Sequence, residues 1–145
     1  DFAGWRRHVL VGEVDDGNAF HAFGGAAGHA GLFTTAGDLL RFGEALLRCL
    51  DGEGPVRRET AAAFLAPGRD PGQALGFQIW DGPWGRAIGH PGFPGVAFAV
   101  LPRRRAAVAM VTNRLHAPGP EPLRPTDAMW LWVLAAADAH VSAPH

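Results

Sequence analysis

Between residues 36 and 50 the apolar positions fall at helical spacing. Leu39, Leu40, Phe42, Leu46, Leu47 and Leu50 make one stripe along AGDLLRFGEALLRCL, which predicts an amphipathic helix. Thr34 and Thr35 precede it, and Thr35 with Asp38 three residues on resembles a capping box, with Asp in place of the longer Glu. Asp51-Gly52 ends it. A second short helix is predicted over 58–65, RETAAAFL, stopped by Pro67-Gly68. The period then changes. ALGFQIW (74–80) alternates as a strand does, DGP (81–83) turns the chain, and RAIGH (86–90) is a second short strand. VAFAVL (96–101) and AAVAMVT (106–112) flank PRRR as a hairpin. Both of these strands are apolar on both faces, so both faces are expected to be covered, and their alanines would let a helix come close.

The two ends of the chain are less regular. HVLVGEV, within 1–14, is expected to be a strand or extended segment, and DDGN (15–18) a turn. GGAAGHAG (24–31) holds four glycines in eight positions and predicts a loop pressed against other backbone. HAPGPEPLRP (116–125) reads as a loop. Thr126 is expected to cap a last helix, 127–140, whose apolar residues occupy nearly every face. That pattern predicts a helix sandwiched in a core, with its two tryptophans packing rather than stacking on a ligand. The tail VSAPH is expected to be mobile. Helices, then an antiparallel sheet, then a covering helix make an α+β pattern, with no internal repeat and no linker that would split the chain.

Composition narrows the partners. With 145 residues and 48% hydrophobic content the chain can build a real core. A net charge of −1, from 13 basic and 14 acidic residues, argues against nucleic acid or a membrane surface as partner, since both need a concentrated basic field. Arg103–Arg105 form the one basic run. They read as an anion site or as a solvated hairpin tip, the second being favoured because no other basic cluster supports them. The longest apolar run, MWLWVLAAA (129–137), is too short to span a bilayer. The single cysteine, Cys49, sits in the apolar stripe and reads as a buried small hydrophobe rather than a reactive thiol. The seven histidines do not form His-x-x-x-His, His-x-His or Glu-x-x-His, and Asp15, Asp16 and Asn18 fail calcium-loop spacing. No metal and no cofactor are therefore expected.

The chemistry-bearing residues lie in two Gly-rich blocks. In GHPGFPGVAFAVLPRRRAAVAMVTN (89–113), His90-Pro91-Gly92 ends a strand and Phe93-Pro94-Gly95 turns into the next. Taken alone, His90 would be a structural histidine capping a turn. The second block, Gly31-Leu32-Phe33-Thr34-Thr35-Ala36-Gly37-Asp38-Leu39, runs into the first helix. Together with the closing Val111-Thr112-Asn113-Arg114 they resemble the C-terminal half of the serine β-lactamase and penicillin-binding-protein-like hydrolases, over roughly residues 10–140. In that family a strand carrying Lys/His-Thr-Gly lines the active site. His90-Pro91-Gly92 matches it at the first and third positions, and Pro91 stands where the threonine hydroxyl would be. The resemblance implies that His90 serves the proton network or the substrate carboxylate. It implies that Gly92 admits substrate backbone, and that the backbone N–H of Phe93 is one of two oxyanion donors. The second block would be structural, a wall below the site, with His29 either facing the cleft or packing in its loop.

The family also needs a Ser-x-x-Lys helix and a Tyr-x-Asn or equivalent. Lysine and tyrosine do not occur here, and the one serine, Ser142, lies near the end of the chain. The expectation is therefore a single partial domain, residues 1–145, whose partner is a missing N-terminal half of the same fold, before Asp1 or in another chain. The complete protein would be a hydrolase acting on a small amide, ester or peptide substrate, and this chain alone would be inactive and poorly cooperative in unfolding. The other reading is a non-catalytic relative that binds a peptide or cell-wall ligand. The resemblance implies the cell envelope or extracellular space, with the cytoplasm left open.

Overall fold

The computed structural model describes residues 6–116 and 126–143. They fall into two compact units, 1–34 and 35–145, taken here one at a time.

The first unit is organised by an acid cap and a basic clamp. Asp16 accepts from the Ala19 N–H at 2.7 Å and so starts α1, Gly17–Phe23. The residues expected to turn therefore begin a helix, because the Asp16 carboxylate satisfies a donor that the first helical turn leaves over. Gly24, at φ 64°, closes it in the left-handed region. HVLVGEV is not a strand. Arg6 clamps this stretch instead, donating to the Val14 and Asp15 carbonyls at 2.6 and 2.8 Å and lying 4.1 Å over the Phe20 ring. The glycine block is a loop, as expected. Gly31, at φ 102°, passes so close to the Gly25 carbonyl that a Cβ would collide with it.

The second unit contains α2 (Ala36–Asp51), α3 (Arg58–Leu65) and a five-stranded antiparallel sheet in sequence order. Its strands are β1 (Gln73–Ala74), β2 (Phe77–Gly82), β3 (Gly85–Gly92), β4 (Val96–Leu101) and β5 (Ala106–Val111), followed by α4 (Asp127–Ser142). Thr35 caps α2 as expected, accepting from the Asp38 N–H at 3.1 Å. The return contact differs from a capping box: the Thr35 hydroxyl donates to Asp38 Oδ2 at 2.8 Å, because Asp is too short to reach back to the Thr35 N–H. The strand expected over 74–80 runs instead from Phe77 to Gly82, and its turn moves to Pro83-Trp84. Trp84 folds its ring beneath this turn, where it donates to the Trp80 carbonyl at 3.2 Å and excludes any side chain at Gly82.

β4 shows why both faces of the hairpin are apolar. Its residues alternate between two layers. Ala97, Ala99 and Leu101 join Ala87, Val108 and Met110 under Trp130 and Leu134 of α4. Phe98 and Val100 join Ile79 and Ile88 under Leu47 of α2 and Leu65 of α3. The small residues do permit close approach: a Cβ at Gly43 of α2 would collide with Ala107 and with the Phe98 ring. Cys49 is buried, with Gly54 against its sulfur.

α4 departs from expectation in three ways. Thr126 has helical backbone angles and its side chain caps nothing; its carbonyl accepts from Trp130 N–H at 2.8 Å. The helix extends through Val141 and Ser142, which were expected in the tail. Only Trp130 and Leu134 are buried, while Trp132 is 71% exposed. A helix on the outside of a sheet buries one stripe, so apolar residues all round do not by themselves make a second covering layer. Trp130 packs edge-on to Trp80 at 5.7 Å, as packing rather than stacking. The proline-rich loop lies outside the described residues except for His116, which ends a short 3-10 turn, Arg114–His116.

Candidate active site

β3 carries the candidate residues at its far end. The β2–β3 ladder runs only as far as Gln78 opposite Gly89. From there His90, Pro91 and Gly92 pair with β4 alone, opposite Phe98, Ala97 and Val96. Their other edge has no strand partner among the described residues. Proline withdraws a ladder donor and is tolerated at edges, so Pro91 sits where the strand has become one. Gly89, just before it, is needed for a different reason: a Cβ there would run into the Phe98 carbonyl and Ala99.

His90 shares a sheet face with Phe98, its cross-strand partner. Phe98 lies beneath α2, 5.6 Å from the Phe42 ring, whereas His90 is solvent-exposed. The histidine is not a buried packing residue. It stands on an open strand edge, exposed to solvent.

The turn after Gly92 is built to hold one geometry. Gly95 N–H donates to the Gly92 carbonyl at 2.9 Å, and Gly95 itself adopts φ 94°, which favours glycine. The end of β5 pins the turn from the side. Thr112 sends both its N–H, at 3.1 Å, and its hydroxyl, at 2.6 Å, to the Gly95 carbonyl. Arg114 N–H donates to the Pro94 carbonyl at 3.3 Å, and its guanidinium lies 4.9 Å over the Phe93 ring. The Phe93 N–H has no acceptor among the described residues, and its side chain is 68% exposed. An unpaired N–H on a pinned turn is what an oxyanion donor requires. The sequence motif points to His90 through Phe93 but not to these pins. Thr112 and Arg114 were visible only as part of a closing pattern, since neither carries reactive chemistry at that spacing.

Residues 3–129 match the family model described as Beta-lactamase. The chain belongs to the β-lactamase family. It is a β-lactamase-related, penicillin-binding-protein-like member of a family of hydrolases. Among curated relatives, an N-acetylmuramyl-L-alanine amidase of Bacillus subtilis (strain 168) is 34% identical over 83% of this chain and 30% of its own length. A putative D-alanyl-D-alanine carboxypeptidase of Escherichia coli (strain K12) is 28% identical over 83% of this chain and 31% of its own. The corresponding protein of Salmonella typhi is 30% identical with the same coverage. The chain thus spans about 30% of the length of these relatives. No solved structure gave a significant match.

The remaining candidates fall elsewhere. In the first unit, His29 Nε2 lies 3.2 Å from Asp16 Oδ1 and its ring meets Phe23 edge-on at 5.9 Å, so it packs back onto the two ends of α1. The Ala19 N–H first, and His29 second, hold the Asp16 carboxyl below its usual range. Ser142 is exposed on the last residue of α4. Among the described residues no group of three or more His, Cys, Asp or Glu could hold a metal ion, and no helix is long and apolar enough to cross a membrane.

Proposed function

We propose that this chain supplies the sheet half of a serine hydrolase working through an acyl-enzyme. The nucleophilic serine and its lysine and tyrosine partners would come from residues outside 1–145. The observation that carries this reading is the open end of β3, where an exposed His90 comes together with a strand edge at Pro91 and Gly92 and a Phe93 N–H that have no partner among the described residues. The absence of lysine and tyrosine from the chain supports a nucleophile supplied from elsewhere. The names of the relatives favour a D-alanyl peptide or a muramyl-peptide amide as substrate, with small esters and β-lactams as further candidates.

In this mechanism the substrate lies along the free edge of β3. The serine oxygen attacks the carbonyl carbon, and an ester bond forms as the C–N bond breaks. The amine leaves with a proton. Water then attacks the ester, releasing the acid and regenerating the serine. Phe93 N–H, with the N–H of the nucleophile, would hold the oxyanion. His90 would bind the substrate carboxylate or stabilise the proton network.

The test is to express the complete reading frame that encodes this chain and incubate it with an acyl-D-Ala-D-Ala peptide, a nitrophenyl ester and a chromogenic β-lactam. Turnover, with an acyl adduct on serine found by mass spectrometry and reduced at least about tenfold by His90→Ala, is the expected outcome. Saturable binding of the peptide with neither turnover nor adduct would replace the hydrolase by a binding module.

A further inference from the structure

The three consecutive arginines of the β4–β5 turn have different fates. Arg104 Nε donates to Asp138 of α4, and Arg105 grips Asp51 of α2 through both terminal nitrogens. Arg103 has no acidic partner among the described residues. Its stem lies beside Gly85, where a Cβ would come within 3.2 Å of Arg103 Cδ. Arg103 lines a groove of about 480 Å³ between α2, α3 and the start of β3. Leu50, Ala62, Leu65 and Ile88 give the groove an apolar lining. The second cation on its rim is Arg86, whose Nε meets Asp81 Oδ1 at 3.2 Å while its terminal nitrogens keep no partner among the described residues. No carboxylate lines the groove.

We propose that this groove binds a small carboxylate with an apolar body, of the medium-chain or aryl acid type. The size and lining are those of small-molecule sites, apolar with a few convergent polar groups. Among the lining residues only Arg86 and Arg103 are charged, and Asp81 engages only the Nε of Arg86, so an anion is the complement that the groove accepts. An inorganic anion would leave the apolar floor in water, and a neutral apolar molecule would leave Arg103 unused. A ligand carrying both parts satisfies both: its body covers Leu50, Leu65 and Ile88, and its carboxylate accepts from Arg103 and from the free nitrogens of Arg86. Arg86, Ile88 and His90 alternate along one face of β3. The four residue steps from Arg86 to His90 span about 13 Å, so a ligand in the groove touches the strand that carries His90 without occupying its end. The proposal stands whether or not the chain contributes to a hydrolase.

Octanoate titrated into the complete protein, followed by calorimetry and amide chemical shifts, tests it. Octanol and acetate serve as body-only and head-only controls. Saturable octanoate binding is expected, at least about tenfold tighter than either control, weakening with salt. Shifts should centre on Ile88 and Arg103. Arg103→Gln should weaken octanoate about tenfold and leave octanol unchanged. Ala62→Phe, which fills the groove without touching the charges, should abolish octanoate binding and keeps the test decisive if the first variant does not fold. Absence of saturable binding, equal affinity for octanol, or parental affinity in a folded Arg103→Gln would overturn the proposal.

Discussion

Arg105 holds Asp51 in a two-pronged ion pair, Nη1 to Oδ1 at 2.8 Å and Nη2 to Oδ2 at 2.5 Å, which fastens the β4–β5 turn to the last residue of α2. The neighbouring Arg104 does the same for α4 through Asp138, from the other face of the sheet. One short turn is thereby tied to the helix layer on each side. The Arg105 hydrogen bond keeps the Asp51 carboxyl below its usual range. A carboxylate whose folded value is depressed gives stability that is complete above its unfolded value, about 3.9, and is lost as pH falls through the folded one. Asp51→Asn is therefore expected to lower Tm at pH 7 and to make the loss of Tm below pH about 4 less steep than in the parent. Melts of both proteins across pH 3–7 check this, and parallel acid limbs would show that the pair is not the source.

Gly43 sets how closely α2 approaches the sheet. Alanine there improves helix propensity by about 1 kcal/mol. Its methyl would collide with Ala107 Cβ and the Phe98 ring, and overpacking of this kind costs about 1–3 kcal/mol. The collision wins, so Gly43→Ala is expected to lower stability in urea unfolding. Ala107→Gly removes the atom it strikes, and the double variant should recover part of the loss. Simple additivity of the two single changes would show that the contact does not limit the packing.

Thr112 fixes the turn that presents Phe93. Thr112→Val keeps the shape and loses the hydroxyl bond to the Gly95 carbonyl, a loss of about 1 kcal/mol. Thr112→Ser keeps the bond. In the complete protein, if Phe93 N–H serves as the proposed oxyanion donor, the valine variant should lower kcat more than it raises KM and serine should restore kcat, because such a donor matters most in the transition state. A kcat unchanged in Thr112→Val would detach this turn from catalysis.

The parts of the molecule legible in the sequence are those governed by local periodicity. α2 and α3 follow from their stripe and stops, and the β4–β5 hairpin from two apolar runs around PRRR. What escaped depends on contacts between distant residues. Asp16 looks like a turn residue until its carboxylate is seen capping α1. Arg103 to Arg105 look like one solvated cluster until Asp51 and Asp138, distant in sequence, claim two of them. Motif resemblance singles out the end of β3 as the candidate site, yet its open edge is a matter of register: β2 stops pairing at Gly89, which no property of residues 90–92 announces.

The outward face of α4 yields the last expectation. The sequence pattern called for cover on every side, but Met129, Leu131, Trp132 and Val141 are exposed and only Trp130 and Leu134 are buried. The sheet also ends on β5, whose outer edge has no partner among the described residues, with Val111 58% exposed. An apolar helix face and an open strand edge both favour association over a well-behaved monomer. Residues 1–145 expressed alone are therefore expected to bind the dye ANS, to self-associate with rising concentration and to melt broadly. Trp132→Glu should reduce both dye binding and association, since it puts a charge at the most exposed of these positions without touching the Trp130 and Leu134 contacts. A sharp two-state melt of a monomer that ignores the dye would show that this face needs no cover, and would count against a partial domain.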